Sequence, residues 1–287
     1  MLREMQHAFL KWAAVFITTT SLAAAQHKKP PAPKTLRLYV FDCGTLDPPD
    51  ADNYRLKKNE VATIKMSMEC FLIAHPKGNL IWDTGAVPAS NFKSAGTPGT
   101  LRYATALKPF PAQLAEIGYA PSDINYLVLS HFHWDHVGNA NAFASATWLT
   151  PHAERDVMFS GPPSPRTEPA NFSELKNSKT TFITTPDYDV FGDGTVIIKA
   201  APGHSPGHQV LFLKLKKTGP VVVGGDLYHY PEERERKLIP ITEFSPEQSA
   251  ASRATIEDFL KKTGAQLWIQ HDFNASAKLK KAPRFYD

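Results

Sequence analysis

Short apolar segments separated by turn residues run through most of the chain, and their periodicity predicts a mixed α/β protein. Helices are predicted at 111–117, 139–143 and 245–262, the last with Pro246 in its first turn and Gly264 after its end. The predicted strands cover residues 36–41, 70–74, 80–82, 126–129, the surroundings of Thr147 and Phe182, 196–199, 210–215, 221–223 and 266–269. Two β-rich halves, each closed by helices, fit a four-layer αββα sandwich in which two mixed β-sheets face each other.

Unusual polar residues lie where the predicted strands end. Asp83, His131, Asp226 and His271 each come just after a strand. Loops converge at such positions, and folds of this kind place their chemistry on them. We therefore expect these side chains to lie close together.

The first 25 residues have the layout of a secretory signal peptide. Arg3 and Lys11 precede an uncharged, largely apolar stretch that ends in three alanines. A membrane anchor is the alternative, but the stretch is shorter than the roughly 20 apolar residues that span a bilayer. We expect cleavage after Ala25, export to the periplasm or the medium, and no membrane contact afterwards. Residues 26–34, rich in proline and lysine, predict a linker, and residues 35–287 predict one folded domain.

The charge of the chain indicates no macromolecular partner. The formal net charge is +4, and the densest basic stretch, residues 278–281, is more simply a solvated tail. The basic surface and the additional domain expected of a nuclease are missing. We predict no nucleic-acid partner and a small-molecule substrate.

Two cysteines, Cys43 and Cys70, lie outside every candidate metal motif. Both fall near predicted strands at the start of the fold, and export permits a disulfide between them. A pair of buried free thiols is the alternative, and the sequence does not decide between the two.

The main chemical signal is a cluster at residues 130–136, which read Ser-His-Phe-His-Trp-Asp-His. A single histidine is usually structural. Three imidazoles and a carboxylate crowded at a strand end need partners that a metal ion supplies, so this cluster predicts a metal site.

Further candidate ligands lie at residues 202–208 (Pro-Gly-His-Ser-Pro-Gly-His), at 224–227 (Gly-Gly-Asp-Leu) and at 270–272 (Gln-His-Asp). Imidazole and carboxylate ligands without cysteine suit Zn²⁺ and argue against a zinc finger. Five histidines and two aspartates divide naturally between two divalent ions with a water or hydroxide between them.

This series of motifs resembles the ligand series of the metallo-β-lactamase superfamily, and within it the N-acyl-homoserine lactonases. The shared segments are Cys-Phe-Leu-Ile at residues 70–73, Trp-Asp-Thr-Gly at 82–85, the cluster at 129–138, residues 201–209, Gly225-Asp226 and Gln-His-Asp at 270–272. The resemblance covers nearly the whole mature chain. It implies a metallo-β-lactamase-like αββα sandwich and a dinuclear hydrolase that opens a lactone ring with a hydroxide held between two metal ions.

The resemblance also implies roles for individual residues. His131, His133 and His204 hold one ion, Asp135, His136 and His271 hold the second, and Asp226 bridges them. Three further polar residues lie beside ligands without matching a ligand position, and we interpret them as orienting a ligand or holding a loop: Asp83, His208 and Asp272.

Asp135 is expected to pass a proton to the leaving alkoxide. The sequence departs from the lactonase pattern three positions after Asp226, where those enzymes usually carry a tyrosine and this chain carries His229. An imidazole donates a similar hydrogen bond, so we assign His229 to catalysis and substrate contact. Trp134 and Tyr228 are also assigned to substrate contact.

Specificity is expected from the long connections at residues 88–110 and 159–172, because long loops in compact domains are usually functional. In related lactonases the segment after Asp83 supports dimerisation, so the resemblance also implies a homodimer. The alternatives on the same site are a β-lactamase, a thioester hydrolase and an organophosphate triesterase. A di-iron redox protein is disfavoured because such proteins favour Glu at the position of His133, and a non-catalytic binder because all seven ligands are present.

Overall fold

A large mixed sheet forms the first half of the molecule. The computed structural model describes His27 and residues 29–287. The strands of this half are β1 (Arg37–Leu46), β2 (Met66–His75), β3 (Gly78–Trp82), β4 (Gly99–Leu101), β5 (Ala104–Ala106), β6 (Tyr126–Val128), β7 (Thr147–Thr150) and β8 (Thr180–Phe182). They lie in the order β4-β5-β1-β2-β3-β6-β7-β8. Neighbours pair antiparallel as far as β3 and parallel from β3 to β8.

The second sheet is built from the following part of the chain. Its strands are β9 (Asp187–Asp189), β10 (Val196–Ala200), β11 (Gln209–Leu215), β12 (Gly219–Val223) and β13 (Gln266–Trp268), in the order β13-β12-β11-β10-β9. Only the β12–β13 pair among these described strands is parallel. The last strand, β14 (Phe285–Tyr286), returns to pair with β1 of the first sheet.

The described α-helices are α1 (Phe110–Glu116), α2 (His152–Phe159), α3 (Pro231–Glu235), α4 (Pro246–Thr263) and α5 (Phe273–Ser276). α4 begins and ends as its sequence predicts. The hydroxyl of Ser245 accepts a hydrogen bond from the backbone N–H of Gln248, and Gly264 adopts a left-handed φ of 69° that ends the helix. No helix in the described part of the chain is long and apolar enough to cross a membrane.

Three buried clusters define the layers. Val40 and Leu80 of the first sheet pack against Leu211 and Val223 of the second, so the two sheets face each other. The other face of the first sheet packs on α1, and the other face of the second packs on α4. Each sheet packs on both faces because successive side chains of a strand point to opposite faces. The αββα sandwich predicted from the sequence is therefore confirmed.

Several short elements differ from the prediction. Residues 139–143 were predicted as a helix, but the structure forms one 3₁₀ turn at Ala140–Phe143, which is too short for α-helical hydrogen bonding. The hairpin of β4 and β5, with three residues in each strand, gives no readable periodicity and was missed. Helix α2 was missed as well, although it packs beside the loops that carry the candidate ligands.

Cys43 and Cys70 form a disulfide, which settles the alternative that the sequence left open. Cys43 lies at an irregularity in β1, where the register with β2 shifts between Asp42 and Thr45. Gly85 packs against this bridge, and a Cβ atom added at Gly85 would lie 2.6 Å from the Cβ of Cys43. The disulfide therefore lies directly under the loop that follows β3.

Candidate metal centre

Loops at the ends of four strands bring the seven predicted ligands together. The loop after β6 supplies the cluster of residues 131–136, and the turn between β10 and β11 supplies His204. Asp226 follows β12, and His271 follows β13. All seven side chains are buried. They form two groups, His131, His133, His204 and Asp226 in one and Asp135, His136 and His271 in the other, with the ligand atoms of each group within 4.8 Å of one another.

Asp226 lies between the two groups. Its Oδ1 atom is 2.9 Å from Nε2 of His136 and 3.1 Å from Nε2 of His271. Its Oδ2 atom is 3.1 Å from Nε2 of His204 and 3.5 Å from Nε2 of His131. One carboxylate therefore presents one oxygen to each group, which is the arrangement that a bridging ligand needs.

Some buried polar atoms at the centre lack hydrogen-bond partners among the described residues. These atoms are Nε2 of His131, Nε2 of His136 and Oδ1 of Asp226. The last two are 2.9 Å apart but are not aligned for a hydrogen bond with each other. Orphaned buried polar atoms are costly and rare in proteins. A metal ion would satisfy these atoms, and the ligand atoms of each group lie close enough together to share one, so the donor set fits two divalent cations.

The remaining ring nitrogens of four histidines have partners outside the centre. These contacts are His136 Nδ1 with Asp83 Oδ2 at 2.9 Å, His204 Nδ1 with Glu243 Oε1 at 3.0 Å, His271 Nδ1 with the carbonyl of Ser67 at 2.8 Å and His131 Nδ1 with Ser130 Oγ at 3.0 Å. Such contacts fix the orientation of each ring and leave the other nitrogen free for a metal.

Asp83 adopts a left-handed backbone conformation with φ of 56° at the end of β3, which is uncommon outside glycine and is found at functional sites. Its Oδ1 atom accepts a hydrogen bond from the backbone N–H of Ser130 at 2.6 Å. Its Oδ2 atom contacts His136 and also accepts from the amide of Gln270 at 2.9 Å. Asp83 therefore connects the loops that carry His136 and His271.

His208 and Asp272 lie beside ligands without joining either group. Nε2 of His208 accepts a hydrogen bond from the backbone N–H of Asp226 at 2.9 Å. The carboxylate of Asp272 accepts from the backbone N–H of Ala275 at 2.9 Å and caps α5. Both residues hold the loops in which a ligand lies.

Burial and neighbouring carboxylates act in opposite directions on the imidazoles. Burial holds the pKa of His131 and that of His133 well below the usual range, which keeps these rings neutral as metal binding requires. Burial also disfavours a charge on His136, but the carboxylates of Asp226, Asp83 and Asp135 raise its pKa well above the usual value. Burial would likewise raise the pKa of Asp226, but the surrounding histidines lower it well below the usual range. The centre is a concentrated set of opposite charges.

A cavity of about 210 Å³ opens onto both groups. His133, Asp135, Asp226 and His271 contribute to its floor, and its walls include Tyr54, Trp134, Arg166 and His229. The Tyr103 ring meets the Trp134 indole edge-on, with ring centroids 5.2 Å apart. Trp134 is largely buried, so it packs as well as lining the cavity.

His229 is held from behind by a buried carboxylate. Glu233 Oε2 accepts a hydrogen bond from the backbone N–H of His229 at 2.9 Å and lies 3.3 Å from its Nδ1. Nε2 of His229 then faces the centre, 3.1 Å from Oδ2 of Asp226. Burial alone would lower the pKa of His229, but Asp226 and Glu233 raise it to about 9.

The assignment of Tyr228 to substrate contact is wrong. Its ring lies in the cluster between the second sheet and α4, under the guanidinium of Arg253 at 4.4 Å. Its hydroxyl lies 3.2 Å from the carboxylate of Glu257 and so points away from the cavity. The error arose because Tyr228 is next to His229 in the sequence, and adjacency along an irregular loop does not fix which way a side chain points.

Arg166 and Glu243 are among the residues of the site that were missed. Arg166 lies in the 159–172 connection, donates to the carbonyl of Thr242 at 2.7 Å, and has its Nη2 3.4 Å from Nε2 of His204. Within the described residues it pairs with no carboxylate. Glu243 is the partner of His204; burial would raise the pKa of Glu243, but the hydrogen bond with His204 lowers it to about 2. Only the length of the 159–172 connection signalled Arg166, and nothing local signalled Glu243.

Residues 69–265, more than half of the chain, match the family model described as the metallo-beta-lactamase superfamily. The chain belongs to the metallo-beta-lactamase superfamily. Among relatives in this superfamily, the N-acyl homoserine lactonase AttM from Rhizobium radiobacter is 30% identical and covers 88% of this chain and 98% of its own length. The N-acyl homoserine lactonase from Bacillus thuringiensis is 26% identical over 77% of this chain and 88% of its own length. The resemblance that the motifs indicated is confirmed, and the chain belongs to the same family as these lactonases.

Solved structures of superfamily members share the fold. A quorum-quenching N-acyl homoserine lactone lactonase has a TM-score of 0.73 at 24% identity, covering 88% of this chain and 98% of its own. An N-acyl homoserine lactone hydrolase with the product N-hexanoyl-L-homoserine bound at its catalytic metal centre has a TM-score of 0.71, with coverage of 88% and 99%. The dizinc quorum-quenching lactonase AidC has a TM-score of 0.63 at 19% identity, with coverage of 91% and 96%. These likenesses show the metallo-beta-lactamase fold.

Proposed function

We propose that this protein is a dinuclear zinc hydrolase that opens the lactone ring of N-acyl homoserine lactones. His131, His133 and His204 would hold one ion, Asp135, His136 and His271 the other, and Asp226 both. The observation that carries the proposal is the pair of buried ligand groups that share Asp226 and leave inner atoms without hydrogen-bond partners in the described part of the chain. Relatives named as N-acyl homoserine lactonases support the choice of substrate.

The cavity and its rim suit a small ring with an apolar tail. The cavity of about 210 Å³ is smaller than the roughly 300–1,000 Å³ typical of sites that enclose a whole drug-sized ligand. An acyl chain would therefore extend along the rim. Tyr103 lines the cavity, and Ile241 and Phe244 flank Thr242 of its wall; all three are exposed large hydrophobic side chains. Exposed apolar groups at a cavity mouth are typical of binding surfaces.

Two divalent cations supply, when bound, the charge that makes water nucleophilic at neutral pH and polarises a carbonyl group. The protein residues complete the reaction. Asp135 lines the cavity, with Oδ2 3.6 Å from Nε2 of His271, and receives the proton that the attacking water loses. It returns this proton to the alkoxide oxygen when the ring C–O bond breaks, and the product is a hydroxy acid.

His229 takes the place of the tyrosine that lactonases usually carry. Its Nδ1 side is held by Glu233, so its Nε2 atom faces the cavity, where it is available to the substrate carbonyl oxygen. A donor held in place before the reaction stabilises developing negative charge at little reorganisation cost. Trp134 also lines the cavity, where its indole would contact the substrate ring.

Export is also part of the proposal. The predicted signal peptide, residues 1–25, lies outside the described residues. The Cys43–Cys70 disulfide supports an oxidising compartment, because disulfides are rare in proteins of the reducing cytosol. Cell fractionation and N-terminal sequencing of the mature protein test it, and a protein that starts at Met1 and stays in the cytosol would contradict it. The homodimer implied by the resemblance stays a prediction.

A substrate panel tests the proposed activity. The purified protein, loaded with zinc and analysed for metal content, is assayed with N-hexanoyl homoserine lactone, nitrocefin, a glutathione thioester and paraoxon. We expect two zinc ions per chain and the highest kcat/KM with the lactone. A higher kcat/KM with any other substrate than with the lactone would contradict the substrate assignment. Fewer than two zinc ions per chain would contradict the dinuclear centre.

A further inference from the structure

A buried carboxylate outside the metal centre contacts both histidine loops of the first metal group. Glu154 lies in the first turn of α2 and is only 1% exposed. Its Oε1 atom accepts a hydrogen bond from the backbone N–H of Phe132 at 2.6 Å. Its Oε2 atom accepts from the hydroxyl of Ser205 at 2.7 Å and from the backbone N–H of Gly207 at 2.8 Å.

The three donors belong to the loops that carry His131, His133 and His204. Phe132 lies between the first two histidines, and Ser205 follows the third directly. The two loops leave different sheets, since the first follows β6 and the second joins β10 to β11. Each oxygen of Glu154 therefore holds a loop from a different sheet.

Two further observations indicate a dedicated contact. Burial raises the pKa of Glu154 to about 7 even though all three hydrogen bonds lower it, so the carboxylate costs stability where it lies. No basic side chain among the described residues forms an ion pair with it. A Cβ atom added at Gly207 would lie 2.8 Å from the Cβ of Glu154, so glycine allows the turn to pack directly on α2.

The second metal group is held differently. Asp83, also fully buried, contacts Nδ1 of His136 and accepts from Gln270, the neighbour of His271. Asp83 and Glu154 share no described hydrogen-bond partner, although both contact the 130–136 loop. Of these two carboxylates, only Asp83 contacts a ligand side chain directly, and only Glu154 joins the two loops that carry the first group.

We propose that Glu154 is a positioning residue that sets the spacing between the two histidine loops, and so controls selectively the affinity of the His131, His133 and His204 site. The inference rests on the metal centre proposed above. Glu154 belongs to neither ligand group and does not line the cavity, so it acts through the loop residues next to the ligands.

The fold itself has other links between these loops. The backbone N–H of Gln209 donates to the carbonyl of Ser130 at 2.9 Å, and the Gln209 amide donates to the carbonyl of Leu129 at 3.1 Å. We therefore expect Glu154→Gln to fold. Glutamine keeps the volume but directs an NH₂ group at donors that all need an acceptor, so at least one hydrogen bond is lost and a donor is left unpaired.

The test compares Glu154→Gln with Asp83→Asn in zinc affinity and in site-resolved occupancy. Metal-free proteins are titrated with zinc against a chromophoric chelator, and anomalous diffraction at the zinc edge gives the occupancy of each site in crystals. Changes in residues that support ligands typically weaken metal binding by roughly 10–100-fold. We expect Glu154→Gln to weaken the His131, His133 and His204 site by at least about tenfold relative to the other. Asp83→Asn should weaken the His136 and His271 site instead.

Ser205→Ala provides a second, milder variant because it removes one of the three hydrogen bonds and introduces no charge. It should shift occupancy in the same direction as Glu154→Gln, by a smaller factor. Equal losses at both sites in either variant, or no loss at the first site, would overturn the role of Glu154. If the wild-type protein binds fewer than two ions, the proposed dinuclear centre is wrong. If wild type and variant both bind two ions with the same affinities, the centre stands and only the role of Glu154 is wrong.

Discussion

The floor of the cavity, formed by the candidate ligands, and its rim, formed by Arg166 and the loop around Thr242, differ in how tightly their side chains are held. In the floor, the seven candidate ligands are buried, and the ring nitrogens that face outward from four of the histidines have protein partners. At the rim, one hydrogen bond joins Arg166 to the loop around Thr242, and large apolar side chains such as Phe244 stay exposed.

The difference separates chemistry from selectivity. Buried ligands whose outward ring nitrogens are held by protein partners move little, so a change in the floor should affect every substrate. Loops with few buried contacts rearrange at low cost, so a change at the rim should act on some substrates and spare others. Four predictions, taken from the largest expected effect to the smallest, test this division.

Asp226→Asn should abolish hydrolysis of every substrate in the panel, by roughly 1,000-fold or more in kcat/KM, because the loss of metal charge stabilisation is worth several kcal/mol. Both oxygens of Asp226 face metal groups, and an amide nitrogen cannot replace either. Steady-state kinetics and metal analysis measure the effect, with circular dichroism to check folding.

Asp258→Asn on the exposed face of α4 is the matched control and should keep wild-type rates. A folded Asp226→Asn variant that retains more than a tenth of the activity would contradict the bridging role.

Removal of the metals by chelation should lower thermal stability as well as activity. Ions present at 1,000 times their dissociation constant stabilise a folded protein by about 4 kcal/mol, because only the folded chain assembles the sites. For a domain of this size we expect a fall in Tm of roughly 8–15 °C, measured by calorimetry. Adding zinc back should restore both properties, and an unchanged Tm would mean that the two ligand groups do not bind metal.

Substitution of His229 should lower kcat more than it raises KM, because the proposed hydrogen bond strengthens as charge develops on the carbonyl oxygen. The sharpest comparison is His229→Tyr with His229→Phe, which differ by one hydroxyl group. We expect the tyrosine variant to exceed the phenylalanine variant by roughly tenfold in kcat.

His152→Gln, a change at an exposed histidine of α2, controls for the loss of an imidazole. Equal kcat values for the two His229 variants would rule out a donor at this position.

Arg166→Met should give the smallest and most selective effect. The guanidinium beside the cavity, which has no carboxylate partner among the described residues, suits the amide carbonyl that an acyl homoserine lactone carries next to its ring. We expect kcat/KM to fall by roughly three- to tenfold with N-hexanoyl homoserine lactone, which is the net value of about one hydrogen bond, and much less with an alkyl lactone that lacks the amide.

Arg284→Met, at an exposed position near the C-terminus, is the control. If the two lactones lose activity by the same factor, Arg166 belongs to the floor rather than to the rim, and the division between chemistry and selectivity is wrong at that residue.

Several features could be predicted from the sequence because their signals are local or chemically unusual. The start and end of α4 follow from Ser245, Pro246 and Gly264, whose capping roles depend only on near neighbours. The cluster at residues 130–136 could be interpreted as a metal site because imidazoles crowded at one strand end need the partner that a metal ion supplies. The sandwich followed from strand periodicity together with the family resemblance.

Other features depend on contacts between residues that are far apart in the sequence, and these could not be predicted. Glu154 lies 22 residues from its partner Phe132 along the chain, and Arg166 and Glu243 lie 38 and 39 residues from His204. No local pattern marks a residue whose partners are this remote. Tyr228 was misplaced because sequence adjacency to His229 does not say which way a side chain points.

The amino-acid sequence by itself therefore determined the seven candidate ligands that the structure brings together, since ligand type and flanking glycine are properties of short segments. The tertiary structure alone decided how they are held and what surrounds them. It paired Cys43 with Cys70, turned Tyr228 away, and placed the carboxylates of Asp83 and Glu154 behind separate metal groups. The physical reason is that hydrogen bonds and burial depend on which loops two facing sheets bring together, and this is set by the packing of the whole chain.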